Sequence, residues 1–288
     1  MSDASAGSAP DRSQLLADAR ARLAAGTERV LGERLVAEGR RPADGSGWLD
    51  VTDHALSGQC PAQFAHPEPS VFSEFTTTMA TRNLGRFVLQ RWDGSRPVGE
   101  VTDELLDCAD DLPQWLTNGL EPLDRSARAA MAASVTTWAL DAVAAVRSRP
   151  DLVWDGRNQK VNLDPYAVTL SARWDARLGD VRSPTTLLVH SGRVADRNGD
   201  EVQAGFVSLV ACFRGRAVPE RVRFSTAGTG QTRAVSITAD VLDRAIDRVL
   251  ELLGHAVAPE SAEYVAGRWC SWCHLAADCA AGQRFLSG

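Results

Sequence analysis

Lysine is almost missing from this chain. Of its 31 fixed positive side chains only Lys160 is a lysine; the others are arginine. Any chemistry that needs a lysine must therefore draw on Lys160. Net positive charge is missing as well. The formal charge of −6 excludes a globally basic nucleic-acid binder and leaves room only for a local basic groove. No uninterrupted apolar run approaches the roughly 18 residues of a bilayer-spanning helix, so no membrane partner is expected. Residues 1–10 are small and polar, without the basic-then-apolar order of a secretory signal, so a cytoplasmic protein is expected. No internal repeat is present, which excludes solenoid and propeller architectures.

What is present fits a globular chain. The 288 residues, 44% apolar and 24% charged, suffice for one large domain or two modest ones. Residues 1–12 read as a disordered leader. Helical spacing predicts one or two helices from Ser13 to about Arg40, and a Gly-, Pro- and Asp-rich loop follows over 41–47. Val51-Thr52-Asp53 reads as the cap of a short helix carrying Leu56, Cys60 and Phe64. Further helices are predicted over 75–92, 105–120 and 126–146. After Pro150 the texture becomes alternating and β-branched: 161–176, 185–189, 217–225 and 234–238 read as strands. Asn198-Gly199 and Gly228-Thr229-Gly230 read as turns; the second lacks the lysine and helix of a nucleotide loop. Residues 239–255 form an amphipathic helix.

The chain ends in Trp269-Cys270-Ser271-Trp272-Cys273-His274 followed by Cys279, a C-x2-C-x5-C array. In a reducing compartment, clustered cysteines bind metal more often than they form disulfides. Two-residue spacing lets both sulfurs turn onto one centre, and a tetrahedral site needs a fourth ligand. Cys60, in Cys60-Pro61-Ala62-Gln63-Phe64, is the candidate; His274 is the other if the metal is zinc. Cys108 and Cys212 lie in apolar stretches and read as buried small hydrophobes. Trp269 and Trp272 flank the cysteines and read first as a shield against solvent, with base stacking as the functional counterpart.

The order Ser57-x-x-Cys60-Pro61-x-x-Phe64, a helical block, Arg173-Trp174-Asp175, a strand ending in Ser191-Gly192-Arg193, Gln203, a long helix and C-x2-C-x5-C resembles the RecB/AddB-type branch of the PD-(D/E)XK nuclease superfamily. The likeness is to its iron–sulfur members, which include the CRISPR-adaptation nucleases. It covers about residues 50–285. The resemblance implies an α/β restriction-endonuclease-like core: a short mixed sheet flanked by helices, with an N-terminal helical extension. It also implies a [4Fe–4S] cluster held by Cys60, Cys270, Cys273 and Cys279; zinc is the alternative. The organisation expected is a leader with helices over 1–47 and a RecB-like domain over 48–288. Within that domain, 48–150 is mainly helical, 151–256 is core sheet and helix, and 257–288 is the cysteine tail.

The family's catalytic centre is a different matter. Relatives place an Asp at the end of one strand and an Asp/Glu-x-Lys element on the next. The carboxylates hold Mg2+ or Mn2+, which polarises the phosphodiester and activates water. Asp175 matches the first element. Leu188-Val189-His190 stands where the second belongs, and leucine cannot ligate a cation. The family's helix histidine is missing too: Leu84-Gly85-Arg86-Phe87-Val88 occupies its place. Gln203 matches the glutamine of the next helix, but the usual tyrosine after it is absent. His190 is a general base in principle, although a lone histidine at a strand end reads first as structural. Pro150-Asp151 with Asn158-Gln159-Lys160 imitates the motif at too short a spacing. Asp196, Asp200 and Glu201 read as a solvated turn, or as relocated ligands beside Asp175. Arg214, Arg216, Arg221 and Arg223 gather positive charge; Arg221 and Arg223 share a strand face and read as solvated, or as a phosphate strip.

Taken together, these residues lead us to expect a DNA-associated RecB-like iron–sulfur protein with a degenerate nuclease centre. Its partners would be DNA or a helicase or nuclease subunit, in repair, recombination or defence. The alternatives are an active Mg2+- or Mn2+-dependent exonuclease with relocated ligands, and a redox-responsive protein-interaction module.

Overall fold

The structure, a computed structural model, describes residues 11–37, 49–56, 60–66, 75–108, 111–146, 151–163, 166, 168–180, 183–191, 197–215 and 217–287. Residues 1–10 of the leader expected over 1–12, the loop over 41–47, Asp196 and Arg216 lie outside them; Arg12, placed in that leader, already begins the first helix.

The front half supplies helices α1 (Arg12–Ala37), α2 (Asp53–Leu56), α3 (Pro61–Ala65), α4 (Thr77–Arg91), α5 (Val98–Asp107), α6 (Gln114–Leu120) and α7 (Arg125–Val146), with one strand, β1 (Leu49–Thr52), between α1 and α2. The helix expected to carry Leu56, Cys60 and Phe64 is in fact two. Thr52 ends β1 and its hydroxyl accepts from the Ala55 N–H at 3.1 Å, capping α2. Cys60 stands immediately before α3, whose first position is Pro61, the place where a missing N–H costs nothing. The single helix expected over 105–120 also divides, because Pro113 cannot continue a helix and instead starts α6.

The back half supplies β2 (Leu152–Trp154), β3 (Asn158–Leu163), β4 (Val168–Arg173), β5 (Ala176–Asp180), β6 (Ser183–Ser191), α8 (Arg197–Arg214), β7 (Arg221–Thr226), β8 (Thr232–Ser236), α9 (Ala239–Val257) and α10 (Ala280–Ser287). Two mixed sheets form, in the orders β1-β4-β3 and β2-β5-β6-β7-β8. The β1–β4 and β6–β7 pairs are parallel and the others antiparallel. Helix α8 is the crossover between β6 and β7, as a parallel pair requires. The protein is thus mixed α/β, with helices packed on small mixed sheets. The expectation of a mainly helical segment over 48–150 omitted β1, which is too short to show periodicity.

One sheet face packs on α8, α9 and α1 through residues such as Leu187, Phe206, Val207, Val222, Ile246 and Leu253. Thr238 caps α9 by accepting from Val241 N–H. Gly205 lets α8 lie close on α9, since a Cβ there would collide with the Val241 carbonyl. A second core joins α4, α5, α6 and α7 around Leu84, Leu105, Leu116 and Trp138. A smaller cluster of Ala145, Val146, Ala176 and Leu188 joins α7 to the opposite sheet face. Among the described helices only α7 is long and apolar enough to cross a membrane by length and composition. Its Met131, Val135, Trp138, Ala139 and Ala142 are buried in the helical core.

Candidate metal centre and acidic site

The tail after α9 runs back over α3. The Ala62 N–H donates to the Glu263 carbonyl at 3.2 Å, which fixes the two segments side by side. Cys60, Cys270, Cys273 and Cys279 consequently line one small cavity, walled by Tyr264, Val265, Trp269, Leu275, Ala276 and Gly282. Backbone N–H groups point at the sulfurs: Val265 to Cys60 at 3.3 Å, Gly267 to Cys270 at 3.4 Å and Gly282 to Cys279 at 3.3 Å. Such donors stabilise thiolates and tune the metal that they bind. Burial pushes the Cys273 thiol up, while the Leu275 backbone pulls it down and the other three sulfurs push it up. The donor set therefore has the chemistry of a soft-metal site. Among the described residues, no group of three or more His, Cys, Asp or Glu side chains is arranged to hold a metal ion as it stands.

His274 does not line this cavity. It is exposed, and its Nε2 lies 2.7 Å from the His66 carbonyl oxygen. Trp269 lies on the cavity, half-buried, and its indole donates to the Val265 carbonyl at 2.9 Å. The other two cysteines differ from each other. Cys212 is buried in the main core, and burial pushes its thiol up to about 12. Cys108 is exposed at the end of α5, against the expectation of a buried residue; the helix stops there and turns its last residue outward.

The acidic site is closed. Asp175 sits in the bend between β4 and β5 and is buried. One carboxylate oxygen accepts from Arg86 Nε at 2.5 Å, the other from the His190 backbone N–H at 2.6 Å. Arg86 reaches it from α4 and lies over the Trp138 ring, 5.7 Å from its centroid. The segment expected to supply a histidine thus supplies a guanidinium that neutralises the buried acid. Leu188 is buried among Ala145, Val146 and Ala176. His190 is 1% exposed, packs edge-on against Trp138 at 4.6 Å and has its Nδ1 3.1 Å from Ser225 Oγ. Its Nε2 has no partner among the described residues. Burial holds its pKa below the ordinary histidine value, against the raising influence of Asp175 and Asp141. Gln203 is half-buried on α8, and among the described residues it makes no hydrogen bond to Asp175 or His190.

The candidate relocated acids point elsewhere. Asn198-Gly199 is not a turn but the first turn of α8, so Asp200 is buried rather than solvated. It pairs with Arg233 of β8 at 2.8 Å, and Glu201 pairs with Arg244 of α9 at 2.9 Å. Lys160 is exposed on β3, 3.7 Å from Asp50. The arginine strip does not form as one open face. Arg221 is exposed beside Glu220, whereas Arg223 donates to the Ala145 carbonyl at 3.0 Å.

Sequence reasoning missed Arg86, because nothing local marks an arginine as the partner of an acid 89 positions away. It also missed Trp138 as the common neighbour of Arg86 and His190. No family model matches this chain, and no curated protein sequence matches it.

Proposed function

We propose that the protein is a RecB-like, restriction-endonuclease-like scaffold clasped by an inorganic centre, with a nuclease site that has lost its metal-binding capacity. It serves as a DNA- or partner-binding component in DNA repair, recombination or defence. The observation that carries this reading is the meeting of Cys60 with Cys270, Cys273 and Cys279 around one cavity. These four thiolates would hold a [4Fe–4S] cluster, which supplies a covalent bridge between distant parts of the chain; Zn2+ on the same four sulfurs is the alternative. With four protein ligands no position is open to substrate, so the centre is structural. Metal affinity then adds to folding stability, because the unfolded chain holds no preformed site.

The degenerate centre is supported by charge and by geometry. Mg2+ or Mn2+ needs open carboxylate oxygens. Both oxygens of Asp175 are already engaged, one by a permanent cation. Leu188 offers no oxygen, and Asp200 and Glu201 are held in other ion pairs. The relocated-ligand exonuclease therefore finds little support.

The test is anaerobic purification with iron, sulfide and zinc analysis, followed by incubation with single- and double-stranded DNA and Mn2+. Four irons and four sulfides per chain are expected, falling to near zero in both Cys60→Ser and Cys279→Ser, and no cleavage. A zinc-loaded, sulfide-free protein refutes the cluster. Cleavage abolished by Asp175→Ala refutes the degenerate centre.

A further inference from the structure

An open cleft lies on the sheet face away from Asp175. Neighbouring strand residues face opposite sides, so Trp174 and Leu187 turn toward α8 while Asp175 and Leu188 turn toward α4 and α7. The cleft is open to solvent, about 540 Å3 in volume, and lined by Asp155, Arg157, Asn158, Gln159, Trp174, Arg177, Leu187, Ala211, Arg214 and Gly215. That volume falls in the range of small-ligand sites, about 300–1,000 Å3.

Its lining is rich in positive charge. Three guanidiniums face one carboxylate, and that carboxylate, Asp155, accepts from the Gln159 amide at 3.3 Å. Several arginines elsewhere are matched to acids, among them Arg22 to Asp243, Arg86 to Asp175, Arg96 to Glu104, Arg233 to Asp200 and Arg244 to Glu201, whereas others, such as Arg12, Arg20 and Arg223, donate to backbone carbonyls. Among the described residues no carboxylate pairs with Arg157, Arg177 or Arg214. Arg177 donates to the Gly179 carbonyl at 2.8 Å, and Arg214 to the Lys160 carbonyl at 3.3 Å. A guanidinium carries five N–H donors in a planar fork suited to phosphate, so most of this donor capacity is unspent. Trp174, in the wall, is buried with its indole N–H unpartnered among the described residues.

We propose that this cleft binds a phosphate-bearing ligand of nucleotide size, with Arg157, Arg177 and Arg214 gripping the phosphate against Trp174. The phosphate belongs to a free nucleotide or to a unit of a single strand. The inference stands on the cleft and is independent of the nuclease-like reading.

The experiment titrates full-length, metal-loaded protein with two probes, AMP and a fluorescein-labelled eight-residue thymidylate oligomer, at several salt concentrations. The variants are Arg157→Ala/Arg214→Ala, both exposed positions with no ion pair among the described residues, and Arg221→Ala as an exposed arginine outside the cleft. Saturable binding of at least one probe is expected, at least tenfold weaker in the double variant and unchanged in Arg221→Ala. If the oligomer binds, the salt slope of its log K falls by about 1.4, two phosphate contacts at ~0.7 each on a single strand. AMP binding without oligomer binding supports the cleft as a free-nucleotide site. Oligomer binding that the double variant leaves intact, with no AMP binding that the double variant weakens, overturns the cleft and leaves the DNA-binding role standing. No saturable binding of either probe also overturns it.

Discussion

Replacing Arg86 with methionine isolates the charge that holds Asp175. Methionine keeps much of the arginine stem over Trp138, so the packing loss is small and the lost interaction is the ion pair. Asp175 is 1% exposed at its side chain and Arg86 14%, so water cannot replace the guanidinium. Removing one member of a buried pair costs about 3–5 kcal/mol, because a charge is stranded. The His190 backbone N–H still serves one oxygen, which puts the expected loss near the lower end, about 3 kcal/mol. Asp175→Asn keeps an acceptor for His190 N–H, and the Arg86→Met/Asp175→Asn double variant should recover most of the stability, since it strands no charge. The assay is urea unfolding at several pH values, comparing midpoints at constant slope. A loss below about 1 kcal/mol in Arg86→Met, or single losses that simply add in the double variant, would refute the claim that this pair closes the acidic site.

Two other predictions concern titration. His190 has its folded pKa below the unfolded value of 6.5, so below that pH the unfolded chain binds the extra proton. Stability should therefore be full above pH 6.5 and fall as pH drops through the window beneath it, by at most about 1.4 kcal/mol per pH unit. His190→Phe should flatten that part of the stability curve; an unchanged slope refutes the assignment. Among the cysteines, native Cys212, with its thiol pushed up to about 12, should resist iodoacetamide at pH 8 while exposed Cys108 reacts. Mass-spectrometric detection of Cys212 labelling as fast as Cys108 in folded protein would contradict the burial.

Much of the architecture was legible where local pattern and burial agree. The period of α9 followed from Val241, Ala245, Ile246, Val249 and Leu253, all buried on one face. The β7–β8 turn followed from Gly228 and Gly230, which adopt φ of +78° and +63°, a region glycine enters freely. Pattern failed where one residue's role depended on another element. Asn198-Gly199 has turn composition, yet it begins α8, where Asp200 gains a buried partner in Arg233.

The sequence by itself determined the donor chemistry: C-x2-C-x5-C and Cys60-Pro61 state which atoms can bind a soft metal, and Leu188 states that its strand position offers no metal-binding oxygen. Those are properties of residue types at short spacing. Only the tertiary structure decided that α3 lies beside the tail so that Cys60 joins the other three, that Arg86 closes Asp175, and that three arginines with no carboxylate partner among the described residues share a cleft on the opposite face. Each of these joins residues far apart in sequence, and such contacts are selected by the packing of whole helices on sheets rather than by any local preference of the chain.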